Sequence, residues 1–161
     1  MAVDSSQLVW TFLKTNSQAA ALRAMIVTGA SDIVESGDVN EAFLADAVST
    51  RRADEELDKA LGISVQDAGE NPDPRIPGHF LQFVVVRVYD RGRGYRNIRT
   101  VRIELMAILN AVAFTQNLAA GLGQGILTMS YNDRTGHQWD PTFAVEYEAV
   151  TFSFRVVKQE G

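Results

Sequence analysis

The sequence contains no cysteine. That excludes a disulfide scaffold, a thiolate nucleophile, an iron–sulfur cluster and a cysteine-ligated zinc site, and it leaves the compartment open, since a chain without thiols suits any redox poise. Histidine is scarce too, with two in the chain. His79 and His137 each fall in a turn-like setting at a strand edge, and neither has an i, i+4 partner or a carboxylate at a known ligand spacing, so no metal site is expected. No apolar run approaches the ~20 residues needed to cross a bilayer. The opening residues Met1 to Ser6 carry no basic stretch or long apolar segment, and therefore no export signal of the Sec type is expected. No serine lies in a G-x-S-x-G elbow, and no serine–lysine signature is present. The acids Asp67, Glu70 and Asp73 lack the fixed spacing of a calcium loop and read as a solvated acidic loop.

What is present suits one domain. The chain has 161 residues, of which 46% are hydrophobic and 22% charged, long enough for one sizeable core and short for two. The net charge of -5 is unevenly spread. Asp32 to Glu70 holds eleven acids and three bases, whereas Arg87 to Arg102 holds six arginines and one acid. Such poles either neutralise each other within a subunit or meet between subunits, where complementary charge fixes register.

Asp4-Ser-Ser-Gln7 has capping-box spacing, and Leu8, Val9, Phe12 and Leu13 follow at helical intervals, predicting a first helix that ends near Asn16. Ala19 to Val27, with Leu22, Met25 and Ile26, predicts a second helix stopped by Gly29. Asp38 to Glu41 is another capping box, after which Phe43, Leu44, Ala47 and Val48 form one apolar stripe on a charged surface helix reaching Lys59. The period then becomes two. Leu61, Ile63 and Val65 alternate with polar or small residues as in a half-buried strand. Asp67 to Gly78, with three prolines and two glycines, reads as a loop, and Phe80 to Tyr89 as a central strand covered on both faces. Asn97 is a good N-cap for the strongest helix, carrying Ile98, Val101, Leu105, Ile108, Leu109 and Val112 inward and Arg99, Arg102 and Asn110 outward.

A turn at Gly121 to Gly125 should lead into a strand with Leu127, Met129 and Tyr131 on one face, and Asn132 to Gly136 should turn the chain again. In the last strand Phe143, Val145, Tyr147 and Ala149 are apolar at odd positions and Val150, Phe152, Phe154 and Val156 at even ones. The buried phase therefore slips near Ala149-Val150, which predicts a bulge or a passage between sheets there. These elements define an α+β fold with a mostly antiparallel β-sheet packed against helices. One domain over 1–161 is expected, helical over about 1–60 and strand-rich over about 61–158.

Two glycine-bearing segments superficially resemble phosphate cradles. Gly121-x-Gly123-x-Gly125 leads into a strand, the wrong context, while Arg91-Gly92-Arg93-Gly94 precedes a helix and leaves an anion site as a minor reading. The arginines from Arg87 to Arg102, interleaved with Tyr89 and Tyr95, could contact nucleic-acid phosphates, but the acidic pI of 5.0 and the lack of a known nucleic-acid motif favour an intersubunit surface where guanidinium groups meet carboxylates. Arg91, Arg93, Tyr95, Arg96 and Arg99 are the candidate interface residues.

Phe83-Val-Val-Val-Arg-Val-Tyr-Asp-Arg-Gly-Arg-Gly-Tyr95, Ile98-Arg-Thr-Val-Arg-Ile-Glu-Leu-Met-Ala-Ile-Leu109, Tyr131 through His137, and Phe143-Ala-Val-Glu-Tyr-Glu-Ala-Val-Thr-Phe152 together resemble the tail terminator, or tail completion, proteins of long-tailed bacteriophages, particularly actinobacterial siphophages. The likeness covers roughly Gly62 to Val157 and lies in element order and short motifs. It implies a virion protein at the head–tail junction, made in the host cytoplasm. Its subunits would form a ring, a hexamer in that family, that caps the tail tube, ends its growth and meets the head-neck stopper or connector protein. Double-stranded DNA would pass through the lumen without sequence-specific binding. It implies no enzymatic activity, no cofactor and no membrane. The acidic segment 32–59 is larger than a minimal terminator requires. Other readings are a different head–tail connector or tail tube subunit, and an arginine-rich nucleic-acid-binding module.

Overall fold

In a computed structural model, residues 4–26, 33–35, 62–90, 95–114, 126–141 and 145–157 are described. Three helices, α1 (Ser5–Thr15), α2 (Ala20–Ala24) and α3 (Tyr95–Phe114), accompany six strands: β1 (Ile33–Glu35), β2 (Gly62–Pro72), β3 (His79–Asp90), β4 (Ile126–Arg134), β5 (Gln138–Asp140) and β6 (Val145–Val157). The strands form one sheet in the order β1-β2-β3-β6-β4, with β5 continuing the β4 edge along β6. Among the described residues β1 and β2 run parallel and the other pairings are antiparallel. This is the α+β layout read from the sequence. The helix over 38–59 and the turn at 121–125 lie outside the described residues.

Asp4 caps α1 as its position predicts, accepting the Gln7 N–H at 3.2 Å. Asn16 ends the helix and caps the 3-10 turn Ser17–Ala19 that leads into α2. The second helix is shorter than its apolar spacing suggests, ending at Ala24. Arg23 donates to the Leu13 carbonyl at 2.9 Å, tying α2 back onto α1. The Trp10 indole N–H donates to the Ile33 carbonyl at 2.9 Å and so fixes β1, a strand with no periodic signal of its own, over α1.

Register shows how the layers meet. Val84, Val86 and Val88 of β3 stand opposite Phe152, Val150 and Glu148 of β6, and Ile63 and Val65 of β2 join the same face. That face packs on Val9, Phe12 and Leu13 of α1, Leu22 of α2 and Ile98, Val101, Leu105 and Leu109 of α3 in one buried cluster. Helix α3 starts at Tyr95, so Asn97 sits inside its first turn rather than capping it. On the other face of β3, Leu81, Phe83 and Val85 are half-buried, while Tyr89 at the strand's end is buried with Ser64 and Ala149 beside it. The expectation of a strand covered on both sides therefore holds at that end and is corrected along the rest, since the described helices all pack on one side of the sheet.

Three further expectations are overturned. The segment expected as a loop over 67–78 is strand over its first half, because β2 runs on to Pro72 through an irregularity between Asp67 and Glu70, and turns only over 73–78. Gly69 supplies the φ of +107° there, a backbone state that other residues adopt only at a cost. The turn expected at 132–136 is displaced, since β4 continues to Arg134. Finally, β6 neither bulges nor changes sheet. Its pairing with β3 is regular from His79↔Val157 to Asp90↔Glu146. The extra residues lie instead in the edge strand, where the register against β6 shifts between Ile126 and Thr128 and between Tyr131 and Asp133. The apparent slip in phase arises because Glu146 and Glu148 occupy the first even positions of the helix-facing side, leaving Tyr147 and Ala149 on the other side, where Tyr147 packs on Tyr89 at 5.9 Å between ring centroids.

Candidate assembly surface

The arginine run does not form one patch. Arg91 and Arg93 lie outside the described residues. Tyr95 and Arg96 are backbone-defined in the first turn of α3, and Arg99 is exposed on that helix. Arg87 stands on the sheet face away from the helices and donates to the Gln66 side chain. Arg102, expected outward, is buried instead.

The cause is Glu148. Its carboxylate is fully buried on the helix-facing side of β6, where a charge without a counter-ion would cost several kcal/mol. Arg102 reaches down from α3 to place Nε 2.6 Å from Glu148 Oε1, and Arg134 of β4 approaches the same oxygen at 3.4 Å. Beside them the His137 imidazole Nε2 lies 2.9 Å from Glu146 Oε1. Helix α3, the edge strand and β6 are therefore clamped together by charge at one end of the sheet and by apolar contact along the rest. Alternation hides this feature, since a buried glutamate looks like a surface residue in a periodicity reading. The signal that could find it is the pair Glu146 and Glu148 continuing the even, apolar phase of Val150 to Val156.

A second pair tethers the β2–β3 hairpin. The Asp73 side chain is buried, so it is no part of a solvated acidic loop. Its Oδ1 accepts the Arg75 backbone N–H at 2.9 Å, and its Oδ2 pairs with Arg155 of β6. The Arg75 N–H bond, followed by the Arg155 guanidinium, holds the Asp73 carboxyl below its ordinary value against the opposing effect of burial. A carboxyl whose pKa is lowered on folding stabilises the fold above its unfolded pKa, and that contribution is lost as pH falls through the folded value. Urea titrations at pH 7 and near pH 3 should accordingly show Asp73→Asn less stable than the parent at pH 7, with the gap narrowing on acidification. A gap that stays constant would sever the link between this carboxyl and stability.

Among the described residues, no group of three His, Asp or Glu side chains could hold a metal, and no helix is long and apolar enough to cross a membrane. Among the described residues five large apolar side chains reach solvent: Ile76 between β2 and β3, Ile103 on α3, and three on the β4–β5 side of the sheet. Leu127 and Tyr131 are each 44% exposed and Trp139 54%, all on β4 or β5. Of Leu127, Met129 and Tyr131, expected on one face, Met129 and Tyr131 share the helix-facing side opposite Phe154 and Phe152, and Leu127 does not. Leu127 is the residue passed over at the first register shift, and Tyr131, opposite buried Phe152 with its ring 6.1 Å away, stays 44% exposed on β4, the last of the described strands in the sheet order.

The α+β layout has a counterpart among solved structures. One solved chain, from a structure described as the virion of a native gene transfer agent (GTA) particle, shares it with a TM-score of 0.53 at 14% identity, over 95% of this chain and 94% of that one. The likeness is one of fold, and it runs nearly end to end. No protein-family model and no curated protein matches the chain.

Proposed function

We propose that this chain is a structural subunit of a phage-like virion, and within that class a tail terminator: a ring that caps the tail tube, stops its polymerisation and meets the neck stopper. The near end-to-end likeness to a chain of a virion particle carries the coarser reading. The sequence motifs around Phe83 to Tyr95 and Ile98 to Leu109 add the finer one. The exposed side chains Leu127, Tyr131 and Trp139 on the β4–β5 side of the sheet suit a protein that works in contact with neighbours. Its partners in this reading are copies of itself, the tail tube protein and the neck stopper, with DNA passing through the ring. No catalytic role is assigned. The nucleic-acid reading loses support because Arg102 is consumed by buried Glu148 and Arg87 by Gln66.

Light scattering on the purified protein tests this. A discrete species at a small multiple of 17.7 kDa, six in the terminator reading, is the expected result, and added tail tube protein should be bound without lengthening the ring. Open-ended polymers of the protein alone would assign it to the tube instead. A strict monomer at high concentration, with and without tube protein, would overturn the reading. In the same assay Arg93→Glu combined with Arg96→Glu should lower the assembled fraction while circular dichroism stays unchanged, since Arg91, Arg93, Tyr95, Arg96 and Arg99 are proposed to face a neighbour.

A further inference from the structure

We infer that copies of this chain join tip to helix: the apex of the β2–β3 hairpin of one copy, Arg75 and Ile76, seats against Ile103 and Glu104 on α3 of the next. The inference rests on the assembly reading above and names the contact. The hairpin has a rigidity that the core does not use. Asp73 accepts the Arg75 backbone N–H at 2.9 Å, the Asp73 N–H donates to the His79 carbonyl at 2.8 Å, and the His79 N–H donates to the Ile76 carbonyl at 3.2 Å. Arg155 of β6 holds the same Asp73 carboxylate, and Pro74 and Pro77 restrict the backbone on both sides of the apex. Lower down, the Gln82 side chain accepts the N–H and the hydroxyl of Ser5 and donates to Glu70 at 2.8 Å, bracing the hairpin against the start of α1. Yet no residue from 66 to 83 belongs to the buried cluster, which Phe80 meets from outside. A braced loop outside the core fixes the shape of its apex, and a preorganised apex binds without the entropy loss of ordering. There the Arg75 side chain is 80% exposed and Ile76 42%. Arg75 Nε lies 3.7 Å from Asp73 Oδ1, but Arg155 shares that carboxylate. Two guanidinium groups against one acid leave the apex with a surplus positive charge.

Helix α3 carries the complement. Ile103 is 50% exposed, and the neighbours on its face one turn to either side, Thr100 and Ala107, are exposed as well. Being small, they leave room for an incoming aliphatic side chain. Glu104 is half-buried on one flank of Ile103, and among the described residues it takes part in no hydrogen bond or ion pair. At 100° of rotation per residue, Arg99 falls on the opposite flank. Arg75 arriving from the Glu104 side therefore meets an acid while Ile76 meets Ile103 and Ala107. Both isoleucines are exposed in the same copy, so a tip does not cover its own helix. Tip and helix are different surfaces, the contact is heterologous, and repeated rotation of the same sense closes it into a ring. Arg99, one turn before Ile103, then lies at the border of the contact, in keeping with its proposed place facing a neighbour.

Exchanging the charges tests the contact. Arg75→Glu and Glu104→Arg should each weaken association by about tenfold in a light-scattering dilution series, since an attractive pair becomes a repulsive one. Urea titration should find the fold as stable as the parent in both. The two substitutions combined should restore assembly. The chain has no cysteine of its own, so Ile76→Cys with Ile103→Cys should give, under mild oxidation, a ladder beyond dimer on a non-reducing denaturing gel, which a single cysteine cannot produce. Reversals that each impair assembly without rescuing one another would reject the pairing, and a fall in the urea midpoint would assign these residues to the fold instead. Undisturbed assembly of both single reversals, with no ladder, would leave the ring standing and discard the tip contact. A parent that stays monomeric at every concentration would remove the assembly reading, and the contact with it.

Discussion

Replacing Arg102 with alanine should cost about 3–5 kcal/mol of folding stability, the usual effect of removing one partner from a buried ion pair. Glu148 would remain fully buried with only Arg134 at 3.4 Å to balance it, and Arg134 is part-exposed and therefore screened. The loss belongs to the stranded carboxylate rather than to the contact itself. Arg102→Met combined with Glu148→Leu should accordingly recover most of the stability, because neither charge is then left in the interior. Chemical denaturation of the parent, the single variant and the double variant decides it. A single variant within 1 kcal/mol of the parent would mean that Arg134 alone neutralises Glu148.

Phe152→Ala should be of similar severity, about 3–5 kcal/mol for a phenyl group removed from a packed interior. Phe152 has no exposed surface, stands opposite Val84 on one side and Tyr131 on the other, and belongs to the cluster that joins the sheet to α1, α2 and α3. Its cross-strand neighbour supplies the control. Tyr131→Ala should cost far less, since that side chain is already 44% exposed. Equal losses from the two substitutions, read by urea titration of the dispersed protein, would place the core elsewhere than the register does.

The parts of the fold that were legible in the sequence are those where one physical term dominates. In α3 a packed face recurs every three or four residues, and Ile98, Val101, Leu105, Ile108 and Leu109 are buried as that spacing requires. In β3 the valine-rich run reads directly as an inner strand. The misreadings cluster where two terms compete. Prolines and glycines over 67–78 signal a loop, yet ladder pairing with β3 carries the strand to Pro72 and uses Gly69 to absorb the irregularity. Glu146 and Glu148 break the apolar pattern of β6 because arginines from other elements neutralise them, a compensation that no local window contains. As for the surface, charge counting found the arginine-rich segment but not its division between the helix-facing interior, the opposite sheet face and solvent. The strand order was invisible for another reason: whether a strand is inner or outer is decided by pairing, and pairing is not written in any one strand.

The strand order also bears on how the protein comes into being at the ribosome. Beta-strand β6 lies between β3 and β4 in the sheet, yet it is the last of the described elements to be translated. Until Val145 to Val157 has left the exit tunnel, β3 has a neighbour on one side only, β4 and β5 have none, and Arg102 has no carboxylate to receive it. A nascent chain therefore holds an N-terminal half-sheet with its widest face unfinished. Strands β4 and β5 thus gain their pairing partner only when synthesis has passed β6, so a chain stalled earlier cannot complete the sheet.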